Sequence, residues 1–194
     1  MYICEVFLGN CTMRGIFIGI LVIITTLSAN AQAVDGASNA NTVKWYTLEE
    51  AQALNAKAPR KIFMDIYTFW CGWCKVLDKN TFSNPKVVEY LNTFFYPVKF
   101  NAEGKDPVIF NNYTFNYNAE YKCNDLVIGI LRGNLSYPSM VFIDEKLQLL
   151  TLLQGYVAPD VFFPILIFFA YNYYQMLGWE DFQQQLPEIM RKLK

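Results

Sequence analysis

Two cysteines separated by two residues stand at a predicted junction between a strand and a helix, and this junction limits the folds open to the chain. They are Cys71 and Cys74, in the segment Trp-Cys-Gly-Trp-Cys-Lys at 70–75. The apolar run at 61–67 is typical of a buried strand, and residues 75–78 can continue as a helix. Two thiols at this spacing can close into a small, reversible disulfide. Half of a zinc site, an inert buried pair and a static bridge are the alternatives.

The start of a helix favours a thiolate. The first N–H groups of a helix have no partner within the helix, and they carry the positive end of its dipole. We therefore expect the pKa of Cys71 to lie below the value of about 8.5 for a free thiol, which makes Cys71 the nucleophile. Cys74, one turn further along, is expected to be shielded and to resolve a mixed disulfide.

The composition argues against several other kinds of chemistry. The chain has no histidine, which excludes Ser/His/Asp and Cys/His catalysis and removes the commonest zinc ligand. We predict no metal site. The net charge is −1 at pH 7 and no long basic run is present, which argues against a nucleic-acid partner.

The N-terminus has the pattern of a secretory signal. An apolar run at 15–27 follows Arg14, and an Ala-x-Ala sequence ends at Ala33, where we predict cleavage. Either Met1 or Met13 could be the start. A retained anchor helix is the alternative, although the apolar run is short for a membrane span.

This pattern divides the chain into a signal peptide at 1–33, a flexible leader at 34–44 and one domain at 45–194. Three of the five cysteines remain after cleavage, the pair described above and Cys123. An odd number does not suit a scaffold stapled by disulfides. We expect Cys123 to be a buried, inert thiol, with a third redox thiol or an intermolecular partner as the alternative.

Strands and helices follow one another in an order that predicts one α/β domain with a mixed sheet covered by helices on both faces. Thr47 with Glu50 is typical of a capping box, and Asn84-Pro85 is typical of a helix start. The predicted elements are, in chain order, helix 51–58, strand 61–67, the helix after the cysteines, a helix from Pro85 with Val87, Val88 and Leu91 on one face, strand 94–100, a short hairpin around 111–112, helix 119–131, paired strands 139–144 and 147–154, helix 159–177 and an amphipathic segment to 193.

Beyond the cysteine pair, the chain resembles the thioredoxin family at spaced positions over roughly 45–170. Residues 62–65 resemble the family's strand that ends in a buried aspartate six residues before the first cysteine, here Asp65. Residues 97–101 resemble the following strand, whose lysine lies near that aspartate, here Lys99. A solvated strand position is the alternative for Asp65.

Tyr137-Pro138 resembles the site of the proline that the family holds in cis opposite the disulfide, and residues 153–156 resemble the strand that ends in glycine. If the bond is cis, a partner peptide could pair with the backbone of Tyr137 in an extended conformation. A trans proline at a strand start is the alternative.

The resemblance implies a thioredoxin-like fold and an exported, periplasmic thiol–disulfide oxidoreductase that needs no bound cofactor. It implies that Asp65 moves the proton that leaves Cys74 and that Lys99 tunes Asp65 by its charge. Its implied partners are protein substrates that contain disulfides and a membrane or exported electron donor, with no stable membrane insertion after cleavage. The implied binding residues are Trp70, Gly72, Trp73, Tyr137 and Pro138.

The chain also departs from the family. Trp73 stands where the commonest thioredoxin motif has proline, which leaves the redox potential open. No histidine lies between the cysteines, so the reducing members are better guides than the oxidising and isomerase-type ones. A disulfide oxidase or isomerase, or a binding module with a structural disulfide, are the alternatives. Residues 106–134 form an insertion that could shape a partner-specific surface, and 178–194 a helical extension.

Overall fold

The computed structural model describes residues 41–193, so the signal peptide predicted at 1–33 and most of the leader lie outside the described residues. The elements are, in chain order, α1 (Leu48–Lys57), β1 (Lys61–Tyr67), α2 (Gly72–Asn80), α3 (Pro85–Phe94), β2 (Phe95–Asn101), β3 (Val108–Phe110), β4 (Tyr113–Phe115), β5 (Tyr117–Asn118), β6 (Cys123–Asn124), α4 (Asp125–Leu131), β7 (Ser139–Ile143), β8 (Leu149–Gln154), α5 (Pro159–Ala170), a 3-10 turn (Tyr173–Gln175) and α6 (Trp179–Lys192).

The central sheet has four strands in the order β2-β1-β7-β8. β1 runs parallel to β2 and antiparallel to β7, and β7 runs antiparallel to β8. The predicted mixed sheet is therefore confirmed. In this register Asp65 lies between Lys99 on β2 and Met140 on β7, which places a charged residue in the middle of the sheet.

Helices cover both faces of the sheet, as predicted. Successive side chains of a strand point to opposite faces, so Phe63 packs in the cluster that contains Leu77 of α2 and Phe162 of α5. Ile62 and Met64 pack in the other cluster, with residues of α1 and α4. Asp65 follows the period of Phe63 and lies on the α2 side, and this places its carboxylate beneath the helix of the cysteines.

The predicted helix starts are confirmed. Thr47 and Glu50 form a capping box, with distances of 3.1 Å from Glu50 N to Thr47 Oγ1 and 2.9 Å from Thr47 N to Glu50 Oε2. The Asn84 side chain accepts hydrogen bonds from the first turn of α3, where Pro85 is the first residue. Local side-chain chemistry sets both helix starts.

Residues 106–134, the predicted insertion, differ from prediction in their second half. The hairpin around 111–112 is confirmed, and Asn111 and Asn112 both have positive φ, as a tight hairpin turn requires. The helix predicted from 119 is wrong in its first half, because β5 pairs with β6 there and α4 begins only at Asp125. The Asn118 side chain accepts hydrogen bonds from the N–H groups of residues 120 and 121, and such local bonds compete with a helix. Cys123 therefore lies in a strand.

The C-terminal helical stretch is also shorter than predicted. The helix expected at 159–177 ends at Ala170, and Asn172 takes a left-handed conformation with φ of 59° before the 3-10 turn. α5 is a core helix, since Phe162, Leu166 and Ile167 have no exposed surface. In the described part of the chain, no helix is long and apolar enough to cross a membrane.

Candidate functional site

A disulfide joins Cys71 and Cys74 at the start of α2. Cys71 is the N-cap residue, and its Sγ accepts a hydrogen bond from the backbone N–H of Cys74 at 3.0 Å. The two residues are 4 % and 2 % exposed. The structure thus places the pair where the sequence predicts it, with the sulfur of Cys71 against the unpaired N–H groups of a helix start.

Exposed aromatic rings surround this buried disulfide. Trp70 and Trp73 are 66 % and 61 % exposed. The Trp70 ring lies edge-on to Tyr137 with centroids 6.0 Å apart, and Trp73 lies against Tyr156 at 5.8 Å. A Cβ atom added at Gly72 would meet no other atom within 4 Å, so the space beside Gly72 is open. Two aromatic walls with a gap at Gly72 suit the approach of another chain.

The Tyr137–Pro138 peptide bond is cis, so the trans alternative is wrong. Pro138 leads directly into β7, where Ser139 pairs with Ile66 of β1, the strand that runs toward the cysteines. The carbonyl of Pro138 accepts a hydrogen bond from Gly155 N at 2.8 Å, and Gly155 has φ of 85° after the end of β8. These contacts hold the cis bond at the sheet end near the disulfide.

Asp65 is fully buried, so a solvated strand position is wrong. Its Oδ2 lies 2.6 Å from Lys99 Nζ in an ion pair, while neither carboxylate oxygen accepts a hydrogen bond from another described residue. Burial raises the pKa of Asp65 to about 6, and the charge of Lys99 opposes the rise. A carboxyl group with such a pKa can exchange a proton near neutral pH.

Lys99 connects this carboxylate to the helix of the cysteines. Its Nζ also contacts a carboxylate oxygen of Asp78 on α2, one turn after Cys74. Burial would lower the pKa of Lys99, but the carboxylates of Asp65 and Asp78 outweigh it and raise the pKa. Lys99 is therefore held in its charged form between the sheet and α2.

Three further residues of this region are absent from the sequence predictions. Asp78 contacts Lys99, Glu103 accepts a hydrogen bond from Trp70 Nε1 at 2.9 Å, and Tyr156 packs on Trp73. The position of Asp78 four residues after Cys74 is a signal that could have identified it, because residues at this spacing lie on one helix face. Glu103 and Tyr156 depend on the tertiary fold.

Cys123 is 1 % exposed, which confirms that it is buried, and it does not join the disulfide. Burial raises the pKa of its thiol, and this disfavours the reactive thiolate. Among residues 41–193, no group of three or more cysteine, aspartate or glutamate side chains is arranged to hold a metal ion.

One protein-family model matches this chain. The family model Thioredox_DsbH, described as "Protein of unknown function, DUF255", matches residues 28–125. No curated protein sequence gave a significant match.

Three solved structures are similar to this chain. A DsbH oxidoreductase is 14 % identical with a TM-score of 0.43, over 59 % of this chain and 77 % of its own. A thioredoxin from Thermus thermophilus is 18 % identical with a TM-score of 0.49, over 65 % and 85 %. A thioredoxin-fold protein from Helicobacter pylori is 17 % identical with a TM-score of 0.49, over 69 % and 83 %. These identities are too low to carry an activity or a partner over to this chain.

Proposed function

This chain belongs to the thioredoxin-like DsbH family, and we propose that it is an exported, periplasmic reductase of protein disulfides. The observation that carries the proposal is the Cys71–Cys74 disulfide at the start of α2, with the carboxylate of Asp65 buried beneath that helix. A reversible disulfide, a helix N-terminus that stabilises a thiolate and a buried proton acceptor all favour thiol–disulfide exchange.

The cycle begins with the reduced pair. The Cys71 thiolate attacks one sulfur of the substrate disulfide, forming a mixed disulfide and releasing the other substrate sulfur as a thiolate, which takes a proton from water. The N–H of Cys74, which contacts Cys71 Sγ at 3.0 Å in the disulfide form, stabilises the attacking anion. Cys71 is therefore assigned the role of nucleophile.

The second half of the cycle needs a proton acceptor. The Cys74 thiol loses its proton to Asp65, and the resulting thiolate attacks Cys71 Sγ, which closes the Cys71–Cys74 disulfide and releases the second substrate thiolate. Two electrons have then passed from the cysteine pair to the substrate. Lys99, 2.6 Å from Asp65, favours the ionised carboxylate that accepts the proton.

Substrate binding is assigned to the residues that border the disulfide. An extended peptide pairs with the backbone of Tyr137 beside the cis bond to Pro138, and it passes over Gly72 between Trp70 and Trp73. The partners are proteins that contain disulfides. A second partner, a membrane or exported dithiol donor, returns two electrons to the oxidised pair after each cycle.

Reduction of insulin by dithiothreitol tests the proposal. Wild type is expected to accelerate the precipitation of reduced insulin, and Cys71→Ser to abolish the acceleration. Pre-reduced Cys74→Ser, mixed with insulin after removal of dithiothreitol, is expected to accumulate a mixed disulfide visible on a non-reducing gel. Lys79→Ser, which changes an exposed residue of α2, is the control and is expected to keep full activity. A wild type no faster than Cys71→Ser would leave a binding module with a structural disulfide.

The reduction potential of the pair tests the direction of electron flow. A reductase is supported by a reduction potential near that of thioredoxin, about −270 mV, which lies below the potentials of thiol pairs that oxidise proteins. A value near about −120 mV, typical of a strong oxidant, would replace the reductase by an oxidase or isomerase. Trp73→Pro measured beside wild type shows how far Trp73 sets this value.

A further inference from the structure

The insertion contacts one of the proposed substrate-binding residues from within the protein. Cys123 of β6 and Tyr137 belong to one hydrophobic cluster, and the Cys123 thiol lies close enough to the Tyr137 hydroxyl to interact with it electrostatically. Cys123 is 1 % exposed, and its strand is paired with β5. The far end of the Tyr137 ring thus lies against a buried group of the insertion.

A second contact holds the ring of Trp70, which lies beside Tyr137. Trp70 Nε1 donates a hydrogen bond to Glu103 Oε1 at 2.9 Å, although the Trp70 side chain is largely exposed. Trp70 and Tyr137 meet edge-on at 6.0 Å and 80°. An exposed tryptophan without such a contact would move among rotamers, and fixing it lowers the entropy lost when a partner binds.

The two holding residues are joined through the backbone. Asn124 N, next to Cys123, donates a hydrogen bond to the carbonyl of Ala102 at 2.8 Å, and Ala102 precedes Glu103. The insertion and the end of β2 therefore form one support behind Trp70 and Tyr137.

We infer that Glu103 and Cys123 are positioning residues that hold Trp70 and Tyr137 as a fixed aromatic wall for an extended peptide. The inference rests on the proposed function, and it assigns the insertion a role in selecting protein disulfides over small ones. A small aliphatic disulfide needs only access to Cys71 Sγ, whereas a peptide also packs on the wall. Loosening the wall therefore weakens peptide binding and leaves the sulfur chemistry intact.

Single-turnover reduction tests this selectivity without an electron donor. Pre-reduced full-length protein is mixed with insulin or with cystamine, and rates are measured over a range of substrate concentrations. For Tyr137→Phe, Cys123→Ala and Glu103→Ala, the insulin rate constant at low concentration is expected to fall about threefold to tenfold, as the loss of one polar contact allows. The cystamine rate is expected to change less than twofold. The double variant Tyr137→Phe/Cys123→Ala should lose no more than the larger single loss.

The controls remove the same groups from exposed positions of the insertion. Tyr113→Phe removes a hydroxyl from a ring that is 70 % exposed, and Glu120→Ala removes an exposed carboxylate. Both are expected to retain wild-type rates on both substrates. Equal losses on insulin and cystamine in the test variants, or no loss on either, would overturn the inference.

A readout independent of activity separates this inference from the proposed function. The indole N–H resonance of Trp70, assigned by its loss in Trp70→Phe, should shift in Cys123→Ala, Tyr137→Phe and Glu103→Ala, and should stay in place in the controls. If wild type reduces neither substrate, the proposed function fails, and the resonance alone decides the positioning role. A Trp70 resonance unmoved in Cys123→Ala would overturn that role.

Discussion

Lys99 Nζ lies 2.6 Å from Oδ2 of the buried Asp65 and at the same time contacts Asp78 on the helix of the cysteines. Lys99 thus pairs with the buried carboxylate of Asp65 and with the carboxylate of Asp78, whose side chain is 45 % exposed. Because Asp65 and Lys99 are paired across β1 and β2, the sheet register brings this charge beneath α2. Mutation of the residues around Asp65 can therefore raise or lower its pKa.

Asp65→Asn is expected to change how stability depends on pH. The pKa of Asp65 rises from 3.8 to about 6 on folding, so between these values the folded protein binds the proton and the unfolded chain does not. The wild type therefore loses roughly 3 kcal/mol of unfolding free energy as pH rises through this window, at about 1.36 kcal/mol per pKa unit. Asn has no charge to desolvate, so the variant gains on wild type by that amount between pH 4 and pH 8.

Urea denaturation at pH 4, 5, 6, 7 and 8 measures this difference. Asp106→Asn is the control, because Asp106 is an exposed carboxylate, and its difference from wild type should be flat over the same range. A stability difference for Asp65→Asn that does not grow between pH 4 and pH 6 would contradict the raised pKa.

Lys99→Met is expected to raise the pKa of Asp65 above its wild-type value of about 6, because the charge that favours the carboxylate is removed. Fewer molecules then hold an ionised Asp65 at pH 7, and resolution by Cys74 slows. Carboxyl carbon resonances followed through a pH titration give the pKa directly. Lys79→Met, which removes an exposed charge from α2, should leave the titration unchanged. An unchanged titration in Lys99→Met would contradict the tuning role.

Short-range signals predicted much of this fold. Strand β1 and the capping box of α1 follow from patterns within a few residues, and the interactions that stabilise them are local. The cysteine pair was located for the same reason. The prediction of a helix over 119–124 was wrong because Asn118 and the left-handed Lys122 favour a turn there. The spacing of apolar residues gives no information on such competing local hydrogen bonds.

The parts of the site that the sequence did not predict are contacts between residues far apart along the chain. Asp78 and Lys99 are 21 residues apart, and Trp70 and Glu103 are 33 apart. Each pair joins α2 or the residues just before it to β2 or the residues just after it, and their meeting depends on register and packing rather than on residue pattern. The resemblance to a family supplied Asp65, Lys99 and Pro138 in advance, whereas Glu103 and the partner of Cys123 required the structure.

The three cysteines of the domain are expected to react in a fixed order after reduction. Iodoacetamide should modify Cys71 first, because its sulfur lies at the start of α2. Cys123 should react last, at least about tenfold more slowly, because it is 1 % exposed and burial raises its pKa. Peptide mass spectrometry of timed samples measures the three rates. In urea the rates should converge, and faster labelling of Cys123 than of Cys71 in the folded protein would argue against an inert Cys123.

Asn172 contacts the buried side chain of Lys61 and stabilises this part of the domain. Two variants separate the role of its side chain from that of its backbone. Lys61 is 3 % exposed, and its Nζ lies 2.6 Å from Asn172 Oδ1 and 2.8 Å from Glu145 Oε1. Asn172→Gly should cost about 1.5 to 3 kcal/mol, because a hydrogen bond to a buried cation is lost. Asn172→Ala should cost about 1 kcal/mol more, since alanine must also adopt the left-handed φ of 59°. Urea unfolding midpoints rank the variants.

In a Lys61→Met background the free-energy cost of Asn172→Gly should shrink, while the difference between Asn172→Gly and Asn172→Ala persists. Equal stabilities of Asn172→Gly and Asn172→Ala would contradict the backbone role.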